Sequence, residues 1–198
     1  MKKSDMDKAV EFAASTAEIY DPDPAHSAQV TLLALALFDE LKTLHGYTEK
    51  EKRLLSISGR LHDIGWSKAV SGKHHKFTRD MILDLAIPGL HKDERFLCAL
   101  IARYHTKALP DASKHQRFAS LAPTARDVVE WLAGMLRVAD GLDCNHNGAV
   151  QNLRCEIKDG KITVRLKTKN RCAKEIERAT RKQELLVKKT GRDITYQC

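Results

Sequence analysis

The sequence has no apolar run approaching the roughly 18 residues of a membrane span, no C-x-x-C pair, no internal repeat and few aromatic residues. Each absence removes a class of function. Without the apolar run the chain is not expected to enter a membrane. The opening stretch MKKSDMDKAVEFAAS carries lysines but no continuous apolar segment, so the chain is read as soluble and unprocessed. The five cysteines, Cys98, Cys144, Cys155, Cys172 and Cys198, are odd in number and widely spaced, which argues against a disulfide framework or a thiolate zinc site and for a reducing cytosol. Aromatic residues make up 6% of the chain and do not interleave with basic ones, so nucleic acid is the weakest partner the sequence suggests. At 198 residues the chain can still bury a sizeable core, and it needs neither metal nor disulfide in order to fold.

What is present divides by position. Residues 1–150 carry 20 Lys/Arg and 20 Asp/Glu, whereas residues 151–198 carry 14 and 6, so the whole excess of +8 lies in the last 48 residues. A solubilising surface accounts for such a tail as well as a polyanion partner does. The hydrophobic period changes at nearly the same place. Up to about residue 147 apolar residues recur three and four apart between helix punctuation such as DPDPAHS, HGYTEKE, SGKHHK, IPGLHKDE and ALPDASK. Then Leu153, Cys155, Ile157 and Ile162, Val164, Leu166 alternate around Asp159-Gly160, which predicts a tight hairpin. Residues 171–190 read as a charged helix with Ile176, Leu185 and Leu186 inward, and RDITYQC as a last short strand. The expected fold is mainly α, a helical bundle over 1–148 followed by a small basic α+β module of β-β-α-β order over 149–198.

Several helical stripes end on groups that do not belong in a core. The stripe Val30, Leu33, Leu37, Leu41 extends back to His26; Leu54, Leu55, Ser58, Leu61 runs into His62 and Asp63; Leu97, Leu100, Ile101, Tyr104 reaches His105; and Val128, Leu132, Leu136 reaches Asp140. A single inward histidine is ordinarily a hydrogen-bonded core residue. Two inward carboxylates are harder to place, because burying one unpaired is costly, and only Arg137 shares a stripe with them. A common cation is the simplest partner. Imidazole and carboxylate donors without thiolates suit a divalent ion such as Mn, Fe, Co, Ni or Zn.

The order His26, His62-Asp63, Asp140 resembles the H…HD…D signature of the HD superfamily of metal-dependent phosphohydrolases, with LHDIG its most specific part. More closely, HSAQVTLLALALFDEL, LHDIG, SGKHHK, IARYHTK and LRVADGLDCNHNGAV, followed by the basic β-β-α-β tail, resemble in order the C-terminal half of the exopolyphosphatase and guanosine pentaphosphate phosphohydrolase family, from about residue 7 to residue 197. That family's polyphosphatase chemistry resides in actin-like domains with a glycine-rich phosphate loop, for which this sequence has no counterpart. The resemblance therefore implies a standalone helical HD domain with its tail, and a metal centre held by His26, His62, Asp63 and Asp140. Relatives with two metals add histidines in between; His74, favoured over its neighbour His75, and His105 are the candidates, with Asp63 able to bridge. One or two of the ions named above are expected, with Mg a further candidate.

A phosphate substrate needs cations for its oxygens, and Lys73, Lys107 and Arg137 are the expected ones, with Arg137 alternatively orienting Asp140. His45, His91, His115 and His146 lie near helix ends or loops and are not expected to ligate. The function read from these residues is a metal-dependent phosphohydrolase acting on a nucleotide or another phosphorylated small molecule, with polyphosphate a ligand of the alternative that follows. The alternative is a non-catalytic polyanion-binding or regulatory module. A homodimer is compatible with either.

Overall fold

The computed structural model describes residues 3–69 and 72–198, with side chains from residue 8 onward, so Ser71 at the start of SGKHHK lies outside the described residues. Helix α1, Lys3–Tyr20, turns Ala9, Ala13 and Ala17 inward. Asp23 then accepts a hydrogen bond from the His26 amide at 3.1 Å, and Pro24 opens α2, Pro24–Glu40. That pairing of a capping aspartate with a first-turn proline fixes where the helix starts, and with it the position of His26. After the one-turn α3, Lys42–His45, Thr48 and Glu51 form a reciprocal cap on α4, Glu49–Leu61. A 3-10 helix, Ile64–Lys68, follows almost at once. The helical part is completed by α5, His74–Asp84; α6, Lys92–Arg103; the short α7, Gln116–Ala119; and α8, Pro123–Leu142.

The stripes read from the sequence are the core. Leu33, Leu37, Leu55, Leu61, Ile101, Leu132 and Leu136 are fully buried, and each such side chain contributes about 1.5–3 kcal/mol relative to exposure. α8 lies among α2, α4 and α6, which brings the ends of four helices to one region.

Strands β1, Val150–Lys158, and β2, Lys161–Thr168, pair antiparallel with Ile157 opposite Ile162 and Leu153 opposite Leu166. Asp159 and Gly160 join them at φ 49° and 73°, the left-handed pair of a two-residue hairpin turn. β3, Asp193–Gln197, lies parallel to β2, giving the order β1-β2-β3. A parallel neighbour requires a crossover, which α9, Ala173–Lys182, and α10, Glu184–Thr190, supply. The single helix expected over 171–190 is thus two, separated at Gln183, and both pack on α8. The fold is mainly α with a small α+β part near the C-terminus, and one hydrophobic cluster runs through both, from Ala9 to Ile194.

The cysteine expectation is corrected. Cys172, just before α9, is joined to Cys198, just after β3, in a disulfide. An odd count precludes complete pairing, not one pair, and β3 returns the end of the chain to the start of α9. Cys98, Cys144 and Cys155 are free. No helix among the described residues is long and apolar enough to cross a membrane.

Candidate functional site

His26, His62, Asp63, His74, His105 and Asp140 come together at one end of the bundle. Two overlapping triads form, His26–His62–Asp140 and His62–Asp63–His105, in each of which one donor atom per residue lies within 4.8 Å of the others. All but the fully buried His62 line a cavity of about 380 Å³ together with Asp23, Trp66, His146 and Lys182.

Three of the four imidazoles are oriented from behind. His62 Nδ1 donates to the Gly59 carbonyl at 2.7 Å and His105 Nδ1 to the Ala102 carbonyl at 2.7 Å. A carbonyl can only accept, so in the neutral tautomer both Nε2 atoms carry lone pairs. His26 Nδ1 donates to Asp143 Oδ2 at 2.8 Å, and its Nε2 faces Asp140 Oδ1 at 3.5 Å. His74 Nε2 lies 3.4 Å from Asp63 Oδ1 and 3.1 Å from His105 Nε2. Tying one ring nitrogen to an oxygen acceptor while aiming the other inward is the arrangement that fixes metal-ligating histidines. Two atoms aimed into the cluster, His62 Nε2 and Asp63 Oδ1, are buried with no hydrogen-bond partner among the described residues.

The electrostatics separate the members. Burial, reinforced by neighbouring His62, holds His105 well below the usual histidine range, and burial likewise lowers His74. Both are therefore neutral, the form a metal requires. Burial alone would lower His26 too, but hydrogen bonds to Asp140 and Asp143 raise it to about 10. Burial pushes the Asp140 carboxyl up, yet the Lys182 ammonium and His26 beside it hold it well below the usual range.

The pair His62-Asp63 is positioned by a close approach of backbones. A Cβ on Gly65 would sit 2.3 Å from both the His74 carbonyl oxygen and the Thr78 amide nitrogen. With glycine there, Thr78 Oγ1 accepts from the Gly65 amide at 3.0 Å and donates to the His62 carbonyl at 3.0 Å. The turn after α4 and the start of α5 are thereby locked together, which brings His74 to the cluster. Its neighbour His75 is buried but makes no such approach to Asp63.

The cations expected for phosphate lie elsewhere. Lys73 and Lys107 are exposed and do not line the cavity. Arg137 is buried and donates to the carbonyls of Tyr104 at 3.0 Å and Lys107 at 3.3 Å, so it braces the segment carrying His105. The cation at the site is Lys182, the last residue of α9, ion-paired to Asp140. Lys174, Arg178 and Lys182, four residues apart on one face of α9, line an adjoining cavity of about 230 Å³ that also contains Asp140 and His146. α9 is held close because Gly141 of α8 meets the backbone of Ala179, where a Cβ would lie 2.7 Å from Ala179 Cα. Three cations of the basic tail thus line the cluster's cavity or the one adjoining it.

Three further participants were not expected. Asp143 orients His26. His146, set aside as a loop residue, stacks on His26 with ring centroids 3.7 Å apart and contacts Asp23 Oδ2 at 2.8 Å. Trp66 stacks on His74 at 4.1 Å and stands half exposed at the mouth. The motif LRVADGLDCNHNGAV contains both Asp143 and His146, and their distance from Asp140 was the available signal.

No curated protein matches the chain. The family model described as Ppx/GppA phosphatase, domain III, matches residues 11–186. With that match covering most of its 198 residues, the chain belongs to the Ppx/GppA phosphatase domain III family.

Proposed function

We propose that the chain is a metal-dependent phosphohydrolase of HD type, cleaving a phosphate ester or anhydride of a nucleotide or another phosphorylated small molecule. The observation that carries this reading is a cluster in which two buried atoms, His62 Nε2 and Asp63 Oδ1, have no hydrogen-bond partner among the described residues, beside a cavity that Asp63 lines with Lys182 and that adjoins a second one lined by Lys174 and Arg178. His26, His62, Asp63 and Asp140 would hold a first ion, and His74 and His105 would extend the set through Asp63 toward a second. Nitrogen and carboxylate donors without a thiolate suit Mn, Fe, Co, Ni or Zn. When bound, such an ion acidifies water to near neutral pH and polarises a phosphoryl oxygen.

The chain's own residues supply the rest. Asp143 and the Gly59 and Ala102 carbonyls keep three imidazoles aimed inward, so that no orientation is lost when substrate arrives. Lys182 stands where it can leave Asp140 for a non-bridging phosphate oxygen, and Arg178 and Lys174 continue the positive path outward. Membership in a phosphatase family agrees with this chemistry.

A second reading is favoured by one observation, the Lys182 ammonium paired with Asp140. A cation of the protein then neutralises the last carboxylate, and the domain binds a phosphorylated anion without cleaving it. Elemental analysis of purified, folded wild type and Asp63→Ala separates the two. The hydrolase reading expects about one or two transition-metal ions per chain in wild type, lost in Asp63→Ala. It also expects Lys182→Ala to keep its metal while phosphate release falls about a hundredfold. Folded wild type that takes up none of these metals would overturn it and leave the binding module.

A further inference from the structure

A separate cavity of about 300 Å³ opens on the face built by α5, the end of α6, and α7 with the loop before it, and it shares no lining residue with the histidine and aspartate cluster. Five of its lining side chains are cationic: Lys76, Arg79, Arg103, Lys114 and Arg117. Two carboxylates answer part of this charge. Asp80 bridges Arg79, with contacts of 2.8 Å, and Arg117 at 2.9 Å, and Asp111 pairs with Lys114 at 3.0 Å.

Arg103 is left out of this network. It is only 7% exposed, and its Nη1 is inaccessible to solvent and without an acceptor among the described residues. Its Cζ lies over the face of Tyr104, 5.4 Å from the ring centroid, and Asp80 attracts it without forming an ion pair with it. A cation over a ring recovers part of the lost hydration, but the planar fork of donors remains unused. Burying a charge without a partner is strongly unfavourable, and the neighbouring cations increase the deficit. The chemistry of this lining suits a compact anion rich in acceptor oxygens.

We propose that this cavity is a binding site for a phosphate-type oxyanion, held by Arg103 with Lys76 and Arg79 around it. The ligand is either free orthophosphate or the terminal phosphoryl group of an ester. A tetrahedral anion offers oxygens to the guanidinium fork and to the flanking ammonium together, with short charge-assisted hydrogen bonds. The site stands apart from the metal reading. Arg103 and His105 lie on either side of Tyr104 and line different cavities, so the two sites are separable by mutation.

Isothermal titration with inorganic phosphate at low ionic strength tests the site, using wild type, Arg103→Leu and Asp63→Ala. A saturable phosphate site is expected in wild type and in Asp63→Ala, weakened about tenfold or more by Arg103→Leu. Replacing an unpaired buried charge with an apolar side chain does not destabilise, so Arg103→Leu is expected to unfold at or above the wild-type temperature when phosphate is absent. Should that variant not fold, exposed Lys76→Ala carries the test, with a weakening of about threefold or more expected. A second arm with methyl phosphate distinguishes the sources. Binding of both anions identifies a phosphoryl group, and binding of orthophosphate alone identifies the free ion. No saturable binding in Asp63→Ala, or affinity unchanged in Arg103→Leu or in its substitute Lys76→Ala, overturns the proposal.

Discussion

Three aspartates of this chain illustrate what decides the state of a carboxylate. Asp63 has one oxygen buried without a partner, Asp140 is held by Lys182 and His26, and Asp127 on α8 is clasped from two directions. Tyr47 donates to Asp127 Oδ2 at 2.6 Å, and Lys189 of α10 is ion-paired to its other oxygen. Partial burial raises the Asp127 pKa, but the bonds from Lys189 and Tyr47 win and lower it from its ordinary 3.8. A depressed folded pKa adds stability that is fully present above 3.8 and is lost as pH falls through the folded value. Asp127→Asn is therefore expected to cost about 1 kcal/mol at pH 7, a small figure because the carboxylate is half exposed. The difference should shrink as pH drops below 3.8, measured by urea unfolding of both proteins; a cost independent of pH would contradict the ion pair. At this scale the sequence was legible where a polar residue continued an apolar stripe, as with His26, His105 and Asp140. It was silent where the partner arrived from far along the chain. Lys182 lies 42 residues from Asp140 and sits in a run of charges that reads as a solvated face.

Helix ends, more than helix interiors, set the geometry of the site. Asp23 and Pro24 start α2 so that His26 falls in its first turn, and α4 stops at Leu61 so that His62 and Asp63 leave the helix together. These boundaries were readable from capping residues, as the hairpin was from Asp159-Gly160. The 3-10 helix after Asp63 was not, because five residues have no period to detect and its position depends on contact with α5. The break at Gln183 was missed for a similar reason, as only the packing of α9 and α10 on α8 distinguishes two helices from one. Gly65 gives this contact a test. Gly65→Ala adds one methyl group against backbone atoms that cannot yield, and is expected to cost about 3 kcal/mol or more. Although Gly65 contributes no donor atom, the metal centre proposed above expects the variant also to retain less metal than wild type. Urea unfolding with elemental analysis of the folded fraction would check both, and wild-type stability would refute the close approach.

For the molecule as a whole, the change of period near residue 148 marks a change of secondary structure across which the core continues. Ala179, Leu185 and Leu186 belong to the same cluster as Leu132 and Leu136, and Gln29 of α2 donates to the Val150 carbonyl at 2.6 Å. A chain ending at residue 148 would expose that apolar surface of α8. It is expected to lose its sharp thermal transition and to bind a hydrophobic dye, and a cooperative transition in that fragment would argue against a shared core. The meeting of Gly141 with Ala179 has a further meaning. Lys174, Arg178 and Lys182 repeat every four residues, so sliding α9 by one turn, about 5.4 Å, would offer Asp140 another positive charge. Charge by itself does not distinguish neighbouring registers. Ala179 does, because the slide that brings Arg178 to Asp140 also brings Glu175 opposite Gly141, where the two helices meet at backbone distance. One small residue thus serves as the index mark of a repeating scale, selecting which cation addresses the site.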